Sequence, residues 1–175
     1  MFHAAGILPY AGAQLLGSIF GVAAARAIWG RPVEQLPVLY AVIQPAPSWS
    51  AAPLFLAEAA GMGVIVFTVG YFLSVPRLAP FVPWLVGILV GLGIAMLGTQ
   101  TGGSLNPARQ FGPAVVSGHT DKLWVFLLAP MVGAEVAARL LKTLQRRRQV
   151  LTHRLCSTEI SGEPLEDRQM TSARI

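Results

Sequence analysis

Four stretches of the chain stay apolar for about the length a bilayer requires. From Leu8 to Trp29 the only strongly polar side chains are Gln14 and Arg26, and from Pro53 to Leu73 the only charge is Glu58. Pro83 to Gly98 holds no charge, and Leu123 to Leu141 is interrupted only by Glu135 and Arg139. A soluble core breaks its apolar residues into amphipathic stripes, whereas a hydrocarbon layer demands unbroken runs of roughly 20 residues. The pattern predicts an all-α membrane protein with spans at about 8–29, 53–73, 83–100 and 123–142. Small residues recur at four-residue spacing in three of them: Gly17 and Gly21, Gly87 and Gly91, and Ala129, Gly133 and Ala137. Such stripes let backbones approach closely and predict a tightly packed bundle.

Composition agrees: 54% of the residues are hydrophobic and 12% charged, against about a quarter charged in soluble proteins. The formal net charge of +5 raises the question of a nucleic-acid partner, and its placement answers it. Eight of the 13 basic residues lie between Arg139 and Arg174, led by Arg146, Arg147 and Arg148, with no aromatic residue among these arginines to stack on bases. A basic cluster just past a membrane helix marks a cytoplasmic end and suits contact with anionic lipid. Both termini are then expected in the cytoplasm, with the proline-rich 31–52 segment outside. Arg26 and Arg31 go against the rule and are outvoted. The uncharged start, Met1-Phe2-His3-Ala4, and the long run behind it read as a span rather than a cleavable signal. Residues 1–145 are read as the membrane domain and 146–175 as a basic, then polar and disordered, cytoplasmic tail. The lone cysteine, Cys156, offers neither a disulfide partner nor a metal cluster, and His3, His119 and His153 stand alone. Nothing here predicts a cofactor or an enzyme.

Between the third and fourth spans the chain reads Thr101-Gly102-Gly103-Ser104-Leu105-Asn106-Pro107-Ala108-Arg109-Gln110-Phe111-Gly112-Pro113. Asn106 is a favourable N-cap and Pro107 suits the first helical position, while Pro113 limits the helix or kinks it. A half-helix over about 107–116 is predicted, too short to span, behind a Gly-Gly stretch of permissive backbone. Irregular backbone at membrane depth is tolerated only when buried in protein or lining a watery cavity. Re-entering there, the half-helix would aim its positive end and the Asn106 amide at mid-membrane, with Arg109 facing a polar cavity. The alternative is an ordinary surface turn capped by Asn-Pro.

The string Gly102 to Arg109, continued by Phe111-Gly112-Pro113-Ala114, resembles the second Asn-Pro-Ala signature of the aquaporin and glycerol-facilitator family, the major intrinsic proteins. Ala13-Gln14-Leu15-Leu16-Gly17 is similar to that family's third helix, Glu58 to the buried glutamate of its fourth, and Trp124 through Pro130 to Gly133 to its sixth. The resemblance covers residues 7–141. It implies that Asn106 donates a hydrogen bond to the permeating molecule at the tip formed with Pro107 and Ala108. Arg109, Gly103 and Ile94 would be positions of the outer selectivity filter, the glycine offering its carbonyl. Glu58 would hold the loop from behind and Gln14 would do so from the first span of this chain. It implies a passive channel for water or small neutral solutes, and a tetrameric homo-oligomer. Ile94 and Gly103 lack the histidine of strict water channels, and Gln110 is neither the serine nor the aspartate common after the arginine.

The fold so implied is an aquaporin-like helical bundle reduced to four spans and one half-helix, without a first Asn-Pro-Ala motif. The open side would expose Arg109, Asn106 and Glu58 to lipid. A truncated longer channel is the favoured expectation, then a half-channel completed by a complementary chain; a self-pair in inverted orientation is opposed by Arg146 to Arg148. The competing class is a non-conducting membrane protein that keeps the half-channel fold.

Overall fold

The computed structural model describes residues 4–144, with side chains from Leu8 onward; the tail 146–175, with its arginine cluster and Cys156, lies outside the described residues. Among the described residues five α-helices follow in order: α1 (Ala4–Trp29), α2 (Ala51–Leu73), α3 (Val82–Leu97), the short α4 (Pro107–Ser117) and α5 (Leu123–Leu144). Four segments are long and apolar enough to cross a membrane: Leu8–Trp29, Ala51–Leu73, Ala79–Leu97 and Leu123–Leu144. No strand occurs among the described residues.

Of the boundaries that differ from the sequence expectation, two do so for clear local reasons. The apolar pattern carries the third span to about residue 100, but α3 ends at Leu97 because the backbone N–H groups of Gln100, Thr101 and Gly102 all turn back onto the Leu97 carbonyl. In a continuing helix only the Thr101 N–H would reach that carbonyl, and the Gln100 and Gly102 donors would go to Met96 and Gly98 instead. At the half-helix, Pro113 does not end α4. The helix runs on to Ser117 and is stopped by Gly118, whose φ of 76° is the left-handed cap that glycine adopts without strain.

Packing is uneven. α2 and α5 lie against each other along their length, α3 leans on α2, and α1 touches the remainder through α4 and the short turn Arg31–Val33. The core joins Ile43 from the long loop to Leu54, Val125, Phe126 and Ala129. Only one of the three small-residue stripes does what close-packed stripes do. Gly133 sits against the Ala59 carbonyl of α2, where a Cβ would overlap the backbone, and Ala129 and Ala137 are buried with it. Gly17, Gly21, Gly87 and Gly91 instead face open space, so of the three stripes only the one on α5 makes a close helix contact. The difference is directly measurable. Gly133→Ala is expected to destabilise the protein by about 1–3 kcal/mol through overpacking. Gly91→Ala should leave the melting temperature in detergent unchanged or slightly raised, since alanine only removes backbone freedom there.

Candidate functional site

The loop between α3 and α4 carries the chemistry, and its conformation is unusual at three residues. Gly102 and Gly103 have φ of 87° and 56°, and a non-glycine, Leu105, joins them at 48°. Gly103 also has no room for a side chain, since a Cβ would come within 3.1 Å of the Ile94 Cα. Left-handed backbone at a leucine is costly and persists only where its surroundings over-determine it. Two devices do so. The Leu105 side chain, 4% exposed, is wedged between Gly61 of α2 and Gly93 of α3. Its N–H donates to Oε2 of Glu58 at 2.7 Å. Oε1 of the same carboxylate accepts from the Thr101 hydroxyl at 2.7 Å and the Ser104 N–H at 3.2 Å. Thr101 Oγ1 in turn accepts from the Gly103 N–H at 3.1 Å.

Glu58 is therefore a buttress behind the loop, and it is 0% exposed. The expectation that an open side would expose Glu58 to lipid is corrected: the loop itself covers the carboxylate, and three donors satisfy it. Arg109 and Asn106, by contrast, are exposed in this chain.

At the tip, Asn106 caps α4 by accepting the Ala108 N–H on Oδ1 at 2.9 Å. With its oxygen engaged by its own helix, the side-chain NH₂ is left as the outward group. The positive end of the helix dipole sits beside it. Three residues on, Arg109 Nη1 donates to the Gly103 carbonyl at 2.6 Å. That bond tethers one arm of the guanidinium and leaves its other donors and its charge to the groove. Asn106, Ala108 and Arg109 line an open groove of about 460 Å³ with Ala13, Gly17 and Ser18 of α1. The groove continues past Arg109 along Gly21, Val22 and Ala25 toward Tyr40 and Pro113. The small-residue stripe of α1 is thus the floor of a groove rather than a helix contact. Ile94, 41% exposed, stands beside Gly103 at the other flank of the loop.

Gln14 needs correcting. It lines the groove, but its Nε2 donates to the Tyr10 hydroxyl one turn away, at 3.3 Å, and does not hold the loop. The α1 side chain that reaches this segment is Ser18, one turn further along, and it holds the half-helix rather than the loop: its hydroxyl donates to the Ala108 carbonyl and accepts the Gly112 N–H at 2.9 Å. Gln110 holds the long loop through Ile43. The sequence pattern singles out neither Ser18 nor the structural roles of Thr101, Leu105 and Gln110. The signal available is weak: polar residues at Ser18 and Thr101 in apolar surroundings. Away from the site, Glu135 and Arg139 form an exposed ion pair at 2.6 Å, and Arg26 pairs with Glu34 at the start of the long loop. Among the described residues no group of histidine, cysteine or carboxylate side chains is arranged to hold a metal.

Four helices long and apolar enough to cross a membrane, with a short half-helix capped by Asn106 and a buried carboxylate gripping the loop before it, define an all-helical membrane protein. The family model of the major intrinsic proteins matches residues 2–141. The chain belongs to that family. It is 32% identical to Aquaporin A of Dictyostelium discoideum over 149 residues, covering 81% of this chain and 51% of that protein. It is 33% identical to the probable aquaporin TIP1-2 of Oryza sativa subsp. japonica over 126 residues, covering 72% and 49%. With the probable aquaporin NIP7-1 of Arabidopsis thaliana the figures are 28% over 127 residues, covering 71% and 44%. The chain spans about half the length of these relatives.

Proposed function

We propose that this chain forms one half of the wall of a passive channel for water or small neutral solutes, in which no bond is made or broken. The observation that carries the reading is the preset donor pair. Asn106 has its oxygen occupied by its own helix, and Arg109 is tethered by the Gly103 carbonyl, so both present N–H groups to the same groove. A neutral solute with oxygen lone pairs can exchange its hydration for those donors. A cation or proton meets the guanidinium charge and the half-helix dipole together and is repelled. Ile94 and Gly103 form the less polar flank, which suits solutes larger than water as well as water itself.

The groove is open along α1, and Arg109 and Asn106 are exposed, which favours a complementary half over an autonomous pore. Lipid offers neither acceptors for the donors nor solvation for the charge, at a cost of several kcal/mol. The length of the relatives supports the same view. That second half would come from a partner chain or from further sequence of the same protein. The Arg146 to Arg148 cluster favours cytoplasmic termini in a cell membrane.

Stopped-flow swelling of proteoliposomes tests this. The chain alone is expected to give no more permeability than empty liposomes, and a fusion to the first half of Aquaporin A should give measurable water or glycerol flux. Full flux from the chain alone overturns the half-pore; none from the fusion overturns the channel. In a conducting form, Arg109→Val should raise proton and cation leak by about tenfold or more, the factor that corresponds to roughly 1.4 kcal/mol of lost barrier.

A further inference from the structure

The residue after the arginine turns the opposite way. Gln110 is 1% exposed, and its amide makes two hydrogen bonds to one backbone residue of the long loop: Oε1 accepts the Ile43 N–H at 2.9 Å and Nε2 donates to the Ile43 carbonyl at 2.8 Å. This is the pairing a neighbouring strand would offer, supplied by one side chain to a segment that has no strand partner. Both amide groups are needed, because one bond requires an acceptor and the other a donor. Ile43 is also pressed against the pore loop, where a Cβ on Gly102 would overlap its Cγ2.

What this anchors is the stretch just before Ile43. Leu39, Tyr40 and Ala41 have φ of 38°, 56° and 58°, three successive non-glycine residues in the left-handed region. Such backbone is held by its ends rather than by its own preference. Val38, Tyr40 and Ala41 form the wall of the groove opposite α1 and share that groove with Arg109. The same α4 turn therefore carries the charge of the site on one face and the anchor of its facing wall on the other.

We infer that Gln110 is a positioning residue for specificity: by clasping Ile43 it holds the Val38–Ala41 segment as a wall beside Arg109, and so sets the width of the passage there. The inference rests on the channel reading for its functional meaning, while the clasp itself can be measured without any flux. Gln110→Glu is the informative variant. A protonated glutamate has one acceptor and one donor and reproduces the clasp; an ionised one still has an acceptor for the Ile43 N–H but sets its second oxygen against the Ile43 carbonyl, and that repulsion opens the clasp.

Hydrogen exchange of the full chain in nanodiscs, corrected for the intrinsic pH dependence of exchange, is the first readout. Gln110→Ala should reduce protection of the Ile43 amide by about tenfold, as expected for lost hydrogen bonds of ordinary strength. Gln110→Glu should match the parent at low pH and lose protection as pH rises, with the parent flat throughout. Unchanged Ile43 protection in Gln110→Ala overturns the clasp. Should Gln110→Ala also loosen α2 and α5, Gln110→Glu decides alone, and failure to recover at low pH overturns the clasp. The second readout is the glycerol-to-water permeability ratio of the fused form. A ratio that tracks the Gln110→Glu titration supports the specificity role, and a ratio that stays constant while Ile43 is released overturns it. If the fused parent conducts nothing, the channel reading has failed and the specificity role with it, while the exchange result still decides the clasp.

Discussion

Replacing Glu58 by alanine is expected to cost at least about 3 kcal/mol and to collapse the loop that carries the site. The carboxylate is fully buried and accepts from Thr101, Ser104 and Leu105, and each buried donor left without a partner costs about 1–3 kcal/mol. The loss is larger than a count of bonds suggests, since the Leu105 N–H bond also holds a leucine at a φ of 48°. Once that residue relaxes, the Asn106 cap and the Gly103 carbonyl that tethers Arg109 move with it. Glu58→Gln should fall between parent and alanine: one oxygen can still serve Thr101 and Ser104, but an NH₂ group would face the Leu105 N–H. Thermal unfolding in detergent together with hydrogen exchange at Leu105 provides the check. An alanine variant that melts with the parent and keeps Leu105 protected would mean that the loop holds its shape unaided.

Gly112→Val should come second in size, and its effect is on arrangement as much as on stability. A Cβ at Gly112 would overlap the hydroxyl and carbonyl of Ser18, so a valine must push α1 away from α4. α1 has little else to hold it: its other sizeable contact is the turn Arg31–Val33. The substitution also takes away the approach that lets the Gly112 N–H reach Ser18 Oγ and lets that hydroxyl reach the Ala108 carbonyl. Overpacking of this kind costs about 1–3 kcal/mol, and the lost bonds add to it. Paired spin labels at Val22 on α1 and Val115 on α4, in a Cys156→Ser background, should report a longer and broader distance in the variant. Ser18→Ala removes the bonds without the clash and should give the milder form of the same change. A distance distribution unchanged by valine would show that α1 is positioned by something other than this contact.

How much of this is legible in the sequence depends on the range of the interaction concerned. The spans are legible because hydrocarbon selects for unbroken apolar runs, a property of consecutive residues. The half-helix is legible because its start is local too: Asn106 caps two residues ahead, and Pro107 suits the first turn wherever the helix lies. Asn106 and Arg109 can be picked out because a charge and an amide in apolar surroundings are expensive enough to need a reason.

What holds those residues in place depends on contacts between distant parts of the chain, and there sequence reasoning falls short. Gln14 and Ser18 lie one turn apart on α1, both polar, and only the approach of α4 decides which of them reaches the Ala108 carbonyl. Gly17, Gly91 and Gly133 look alike in a string of small residues; one meets a neighbouring backbone and two face open space. Gln110 comes directly after Arg109 yet serves a loop 67 positions earlier. The sequence by itself determined a membrane protein of this family with a polar half-helix; the tertiary structure decided which side chains lock it, because hydrogen bonds and close packing depend on direction and distance between elements, and neither is a property of neighbouring residues.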